Sequence, residues 1–263
     1  MASWLDETPR VQTNLVVVVD GLEKSGKTYF SLRWPPDPVL YLNLDRRNDY
    51  LIRLMREKYH RRILLPKCRH YLTSRSAEIR LRDPKAINEV KLANRAILQQ
   101  LEADYSEGLS DPAIKTVVLD QGTTLWELIR LSLFGKLTEV PPILYSRANA
   151  RFFRFTRLAN ASGRNVILIH RCKAEWLGGG AIGEKTGNLL TAGHKEVNFE
   201  VDATVRCAAD DELQDDNTLR TVYSARIASS GLAGRGKVFK GKHANWTEVS
   251  DAILGRAPKP PKE

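Results

Sequence analysis

A chain of 263 residues with a formal net charge of +10 is long enough for one α/β core domain with a small extension. The positive charge favours acidic polymers such as nucleic acid over small anions as partners, although a basic solvated surface would give the same composition. The three cysteines, Cys68, Cys172 and Cys207, are odd in number and lack metal-type spacing, which argues against a disulfide scaffold and a structural zinc site.

The first residues and the apolar runs bear on localisation. Residues 1–7 carry acids and lack the long apolar core of a signal peptide. Apolar runs such as residues 15–19 are far shorter than the roughly 20 apolar residues that cross a bilayer. We therefore expect a cytoplasmic protein without a membrane partner. We expect an N-terminal extension at residues 1–11, one domain at residues 12–255 and a disordered tail at residues 256–263.

The run at residues 15–19 is typical of a buried strand and leads into Gly-x4-Gly-Lys-Thr at residues 21–28. Glycines let such a loop turn tightly, so that backbone N–H groups and the start of the next helix converge on phosphates. Lys27 would reach the β- and γ-phosphates, and the Thr28 hydroxyl would bind magnesium, which prefers hard oxygen ligands. The sequence therefore predicts a site for ATP with Mg²⁺. The predicted nucleotide contacts are Gly21, Glu23, Lys24, Ser25, Gly26, Lys27, Thr28 and Tyr29.

Apolar, β-branched runs recur along the chain and alternate with helix-like segments, which indicates an α/β fold with a mainly parallel central sheet flanked by helices. The predicted strands lie at residues 14–19, 39–44, 114–119 and 166–169, and the predicted helices at residues 84–102, 123–134 and 144–161. The first helix should end near Trp34, because prolines follow it. Glycines after His170 predict a long flexible connection, followed by C-terminal β segments at residues 197–207 and 219–227.

The phosphate loop alone holds the metal incompletely, so an acid at the end of a neighbouring strand is needed. The strand Thr-Val-Val-Leu-Asp supplies it at Asp120. The last residue of such a strand lies at the carboxyl edge of a parallel sheet, where ligands of open α/β folds bind. Asp120 is therefore the candidate that holds magnesium through water, together with Thr28.

The general base is not defined by this strand, because Gln121 stands where many P-loop ATPases have a Glu. Asp45 ends the second apolar strand and could lie within reach of the attacking water. The alternative is that Asp45 caps a helix or a turn. Glu23, inside the loop, is the weaker candidate for the base.

The strand Val-Ile-Leu-Ile-His places His170 at the same predicted edge. There the imidazole could contact the γ-phosphate or its water, and it would then be a third catalytic residue beside Lys27 and Asp45. A structural histidine is the alternative.

These features together resemble the RecA-like P-loop ATPases, and among them the phage AAA-domain proteins described as RecA-like single-strand annealing (Sak-type) or phage nucleotide-binding proteins. The resemblance extends over residues 12–250, and the phosphate loop is its specific part. It implies a RecA-like fold, phosphate and metal roles for Lys27, Thr28 and Asp120, and a γ-phosphate sensor at His170. The catalytic acid of the family is usually Glu, so Asp45 departs from its pattern.

In RecA-like proteins the segment after the sensor strand contacts DNA, and in this chain that segment is basic. The candidate DNA contacts are Arg171, Lys173, Trp176, Lys185 and Lys195. Basic side chains with an aromatic suit single-stranded DNA, since phosphate attraction gives affinity and base stacking tolerates any sequence. A surface segment that is basic by chance is the alternative.

Two further basic groups could serve an assembly. Arg147, Arg151, Arg154 and Arg157 recur at helical spacing and predict a positive stripe, either solvated or facing a polyanion or an acidic neighbouring subunit. RecA-like ATPases commonly form rings or filaments in which a cation from the adjacent subunit completes each site. Lys237 and Lys240, with Arg235 and Lys242 nearby, are the candidates for that cation.

The leading hypothesis is a magnesium-dependent ATPase that binds single-stranded DNA, forms a homo-oligomeric ring or filament on it, and acts in phage-type homologous recombination or strand annealing in the host cytoplasm. A single-strand binding protein is a further candidate partner. The alternatives are a replication or packaging motor, a small-molecule P-loop kinase with the arginine stripe over its acceptor, and a nucleotide-gated binding protein with negligible hydrolysis.

Overall fold

The computed structural model describes residues 13–44, 48–66, 71, 83–177, 183–213 and 218–257. The strands are β1 (Val16–Gly21), β2 (Val39–Asn43), β3 (Ile63–Leu64), β4 (Thr116–Asp120), β5 (Asn165–Ile169), β6 (Cys172–Leu177), β7 (Glu184–Thr191), β8 (Ala203–Leu213), β9 (Leu219–Ser230) and β10 (Val238–Lys240). The helices are α1 (Lys27–Arg33), α2 (Asp49–Glu57), α3 (Pro84–Ser110), α4 (Gly122–Phe134), α5 (Tyr145–Ser162) and α6 (Trp246–Ile253).

The main sheet has eight strands in the order β10, β9, β8, β1, β5, β4, β2, β3. Strands β1 to β5 and β8 run parallel to one another, and β9 and β10 join antiparallel beyond β8. The predicted α/β architecture with a mostly parallel sheet and added C-terminal strands is therefore confirmed. Strand β5 lies between β1 and β4, so the chain segments after these three strands meet at one edge.

Helices cover both faces of the sheet, and side chains alternate between these faces along each strand. Both sets of side chains are therefore buried. In β1, Val17 and Val19 enter one apolar core with α1, α2 and α6, whereas Val16 and Val18 enter the opposite core with α3, α4 and α5. This double burial explains why the central strands are continuous apolar runs. Among the described residues, no helix is long and apolar enough to cross a membrane.

Helix boundaries follow the local signals in the sequence. Helix α1 ends at Arg33, before the prolines, as predicted. Helix α3 begins at Pro84 with Asp83 as its N-cap, whose side chain accepts a hydrogen bond from the Lys85 amide, but it continues to Ser110 rather than ending at residue 102. The helices α2 and α6 were not predicted.

The connection after His170 differs from the prediction. Strands β6 and β7 pair as an antiparallel hairpin, so most of the expected flexible connection is regular structure. The strand expected from residue 197 begins at Ala203, because residues 197–199 form a 3-10 turn. Strand β8 pairs with β1 only as far as Cys207 and then continues for six residues, about 20 Å, beyond the edge that carries the phosphate loop.

Candidate functional site

The phosphate loop connects β1 to α1. Gly21 ends β1 at a point where a Cβ atom would lie 2.4 Å from the Cys207 carbonyl oxygen, so only glycine fits. Gly26 has φ 81°, a left-handed conformation that glycine adopts readily, and it immediately precedes the first residue of α1. Both glycines of the motif are thus required by backbone geometry, and Glu23 and Lys24 lie exposed between them.

The Lys27 side chain lies across this loop. Its ammonium donates hydrogen bonds to the Leu22 carbonyl and, over 3.4 Å, to the Ser25 hydroxyl. Burial lowers the pKa of Lys27, while the neighbouring charges of Asp120 and Asp20 act in the opposite direction. A phosphate group bound by the loop would give this partly desolvated ammonium an anionic partner.

Tyr29 follows Thr28 in α1 and was also predicted to contact the nucleotide. Its ring lies nearly parallel to Tyr223 of β9, with centroids 6.4 Å apart, and its hydroxyl donates to the Tyr59 hydroxyl over 3.1 Å. Burial and the Tyr59 hydrogen bond raise the pKa of Tyr29 to about 12. Tyr223 also packs against Gly26, so an aromatic pair borders the phosphate loop.

Asp120 lies beside the start of α1, as the strand pattern predicted. The Thr28 hydroxyl donates to Asp120 Oδ2 over 3.0 Å. The Tyr41 hydroxyl and the Asn48 amide donate to the same oxygen, over 2.8 and 3.1 Å. A hydroxyl and a carboxylate at this distance are the hard oxygen donors that Mg²⁺ takes from proteins, with phosphates and waters completing its shell.

This donor set fits magnesium better than a metal held by protein side chains alone. Among the described residues, no group of three or more His, Cys, Asp or Glu side chains could hold a metal ion. Mg²⁺ does not need such a group, because it is usually bound by one or two carboxylates together with substrate phosphates. Thr28 and Asp120 are therefore the residues that would hold it here.

The candidate general bases from the sequence are Asp45 and Glu23. Asp45 lies outside the described residues, so its role stays a prediction. Glu23 is exposed in the phosphate loop. Gln121, which follows Asp120, is the residue before α4 and precedes Gly122.

His170 lies at the expected strand end, but its ring is completely buried. Its Nδ1 donates to the Ala192 carbonyl over 2.8 Å, which leaves Nε2 as an acceptor without a hydrogen-bond partner in the described part of the chain. Burial lowers the pKa of His170 to about 4. A Cβ at Gly122 would lie 2.1 Å from Nε2, so the ring packs directly on the backbone after Gln121. In this arrangement the imidazole is a neutral, enclosed group, and γ-phosphate sensing stays a prediction.

The β6–β7 hairpin brings three of the five predicted DNA contacts together. Lys173, Trp176 and Lys185 lie on it; the Trp176 side chain is 55% exposed, and the Lys185 ammonium is 5.2 Å from its ring centroid. Arg171 lies at the base of the hairpin, where its backbone N–H donates to the Thr123 hydroxyl. Lys195 lies apart from them, exposed in the turn beside His194.

The turn that contains Lys195 is fixed to α5 by His194. The His194 ring stacks on Phe152, with centroids 4.7 Å apart, and meets Trp126 edge-on at 4.8 Å. Its Nε2 bonds to Asn149 Oδ1 over 3.2 Å, and its Nδ1 accepts from the Glu196 amide. Lys195 therefore lies beside α4 and α5, away from the β6–β7 hairpin.

The other predicted cations have different surroundings. Lys240 forms a salt bridge of 3.0 Å with Glu212 of the same chain, whereas Lys237 is exposed. Arg151 of the arginine stripe forms a bidentate pair with Glu102 of α3, with both distances 2.8 Å. Arg147, Arg154 and Arg157 are exposed, so the stripe exists but is partly neutralised.

A buried charge pair beside the phosphate loop was missed in the sequence. Asp20 is fully buried and accepts two hydrogen bonds from the Arg206 guanidinium, of 2.9 and 2.8 Å, and one of 2.7 Å from the Thr191 hydroxyl. Arg206 also donates to the Leu189 carbonyl over 2.9 Å. The signal was an acid immediately before the first motif glycine, but its partner lies 186 residues away.

Comparison with protein-family models and with curated protein sequences found no match for this chain. The sheet order and the contacts of the loop are therefore the observations from which function is inferred.

Replacing Arg206 with Met should lower the free energy of unfolding by about 3–5 kcal/mol, because it leaves the buried Asp20 carboxylate unpaired. Urea unfolding measures this. In the double variant with Asp20→Asn the loss should be smaller than the sum of the single losses, since the charge pair is removed as a unit. Strictly additive losses would show that the two side chains do not interact.

His170 should make stability depend on pH in a defined window. Its pKa is about 4 in the folded protein and about 6.5 in an unfolded chain, so only the unfolded state takes up the proton between these values. Its stabilising contribution is complete above pH 6.5 and is lost as the pH falls towards 4, by about 3 kcal/mol in total.

The measurement is urea unfolding from pH 7 to 4 on the wild type and on His170→Gln. The unfolding free energy of the variant should depend less steeply on pH, by the slope that corresponds to up to one proton fewer taken up on unfolding. His60→Gln, at an exposed position, is the control and should reproduce the wild-type slope. Parallel curves for the wild type and His170→Gln would contradict the assignment.

Proposed function

We propose that this protein is a RecA-like, magnesium-dependent ATPase that acts on single-stranded DNA. The observation that carries the proposal is the contact between Thr28 Oγ1 and Asp120 Oδ2, 3.0 Å, beside a lysine that lies across a phosphate-type loop. This contact joins a motif in one segment to an acid 92 residues later, as a nucleotide–metal site requires.

In this proposal the loop amides and Lys27 bind the β- and γ-phosphates, and Thr28 and Asp120 hold the magnesium ion. When bound there, magnesium would supply positive charge to neutralise the charge that develops on the transferring phosphoryl group. Thr28 can serve both partners, because its O–H donates to Asp120 while its lone pairs stay available. Asp45 remains the proposed base, and His170 the proposed sensor.

The β6–β7 hairpin is the proposed contact for single-stranded DNA. Lys173 and Lys185 supply phosphate attraction, and the exposed Trp176 ring supplies a stacking surface. At the base of the hairpin, the Thr191 hydroxyl donates to Asp20, which immediately precedes the phosphate loop. This contact supports a coupling between DNA binding at the hairpin and nucleotide binding at the loop.

We further propose a homo-oligomer, in which Lys237 is the better candidate for a cation supplied to a neighbouring site. Lys240 is the weaker one, because Glu212 already neutralises it. Recombination or strand annealing in a host cytoplasm, with a single-strand binding protein as helper, is the role that this proposal implies.

ATP turnover tests the proposal directly. The wild type should hydrolyse ATP only with Mg²⁺ and faster with an oligo-dT strand, and Lys27→Ala should lower kcat/KM by about 100-fold or more. Lys115→Ala is the matched control, because Lys115 is exposed before β4, at the opposite edge of the sheet. Phosphorylation of a small acceptor without any effect of DNA would favour the kinase alternative, and binding of ATP without turnover would favour the nucleotide-gated one.

The DNA contact has its own test, by fluorescence anisotropy with labelled oligo-dT. Trp176→Ala should weaken binding by about 5- to 100-fold, the effect of losing one stacked base. Phe199→Ala is the control, because Phe199 is 86% exposed but lies outside the hairpin. Equal losses for both variants would remove the hairpin from the proposal.

A further inference from the structure

One carboxylate oxygen at the candidate metal site receives an unusual number of hydrogen bonds. Asp120 Oδ2 accepts from the Thr28 hydroxyl, the Tyr41 hydroxyl and the Asn48 amide, over 3.0, 2.8 and 3.1 Å. Hydrogen bonds to the ionised form favour a negatively charged carboxylate. Thr28 belongs to the phosphate loop, but neither Tyr41 nor Asn48 does, and the proposed reaction assigns them no role.

Tyr41 is built into the sheet beneath this site. It lies on β2, two residues before Asn43, which is aligned with Asp120 of the neighbouring strand β4. Its side chain is completely buried in the apolar core on the α1 face. A buried tyrosine hydroxyl needs a hydrogen-bond partner, and this one donates to Asp120 and accepts from Asn48. Both ends of the contact therefore lie on rigid strands.

Asn48 approaches the same carboxylate from α2. It occupies the N-cap position of this helix, where Asn normally accepts a hydrogen bond from the first turn, yet its side chain makes no capping bond. Instead, its amide nitrogen donates to the Tyr41 hydroxyl over 2.5 Å and to Asp120 over 3.1 Å. The side chain is thus directed at Asp120 rather than at its own helix.

We propose that Tyr41 and Asn48 are positioning residues that hold the Asp120 carboxylate in place for the magnesium ion of a bound nucleoside triphosphate. This inference rests on the proposed function. Partners that hydrogen-bond to a metal-binding side chain fix its orientation, and their loss commonly costs 10- to 100-fold in metal affinity or activity. The two residues act through Asp120, so their loss should affect the metal and not the phosphates, which the loop and Lys27 bind.

Tyr41→Phe tests this inference, because it removes a single oxygen atom from a buried ring. The control is Tyr105→Phe, since Tyr105 is also buried and its hydroxyl donates to the Phe155 carbonyl over 3.0 Å, far from Asp120 in the opposite core. The dissociation constant of Mn²⁺ is measured by electron paramagnetic resonance with a non-hydrolysable ATP analogue bound. Calorimetry in EDTA measures affinity for the analogue alone.

Tyr41→Phe should raise the Mn²⁺ dissociation constant by about 10- to 100-fold and leave analogue affinity in EDTA within about twofold. Asn48→Ala should change metal binding in the same direction, and it carries the test if Tyr41→Phe does not fold. Unchanged Mn²⁺ binding in the variants, or an equal change in Tyr105→Phe, would overturn the inference alone. If the wild type binds no ATP analogue, the proposed function fails and the inference fails with it.

Discussion

The buried ion pair between Asp20 and Arg206 is the interaction on which the phosphate-loop edge of the sheet depends. Asp20 is fully buried, and a charge in such a place costs several kcal/mol unless it is paired and hydrogen-bonded. Arg206 lies on β8 and also donates to the Leu189 carbonyl, while Thr191 donates from the end of β7. This charge cluster therefore joins β1, β8 and the β6–β7 hairpin. Gly21, the first glycine of the phosphate loop, is the next residue after Asp20 in the chain.

The position of β5 sets the dimensions of the site. Adjacent strands are about 4.8 Å apart, so the ends of β1 and β4 are separated by about 10 Å, with β5 between them. Helix α1 bridges this distance, because the Thr28 hydroxyl reaches Asp120. His170, which follows β5, lies between the two strand ends, and its ring requires a glycine at position 122. The region between the two strand ends thus contains the Thr28–Asp120 contact and also encloses the His170 imidazole.

What the sequence could predict depended on how local each signal was. The loop motif, the strand ending in Asp120 and the capped start of α3 are local patterns, and each was found. The hairpin was missed because glycines around residue 180 suggested a flexible connection. Tyr41 could not be found, since its role depends on β2 lying beside β4. Asp45, which was predicted as the base because it ends the second apolar strand, lies outside the described residues.

Two departures from ordinary local rules meet at the same edge of the sheet. Asn48 occupies an N-cap position without capping its helix, which forgoes about 1 kcal/mol. His170 Nε2 is buried without a hydrogen-bond partner in the described part of the chain, at a cost of about 1–3 kcal/mol. Buried polar atoms without a partner in the described part of the chain also occur at the opposite edge, at Asp37 Oδ1 and Arg164 Nε, so their number does not single out one region. What distinguishes the Asp120 edge is what each group contacts: the Asn48 amide donates to the candidate metal-binding carboxylate instead of capping its helix, and the His170 ring packs on the backbone that follows Gln121. Local inconsistency of this kind is tolerated mainly at functional sites, which accords with the proposed site at this edge.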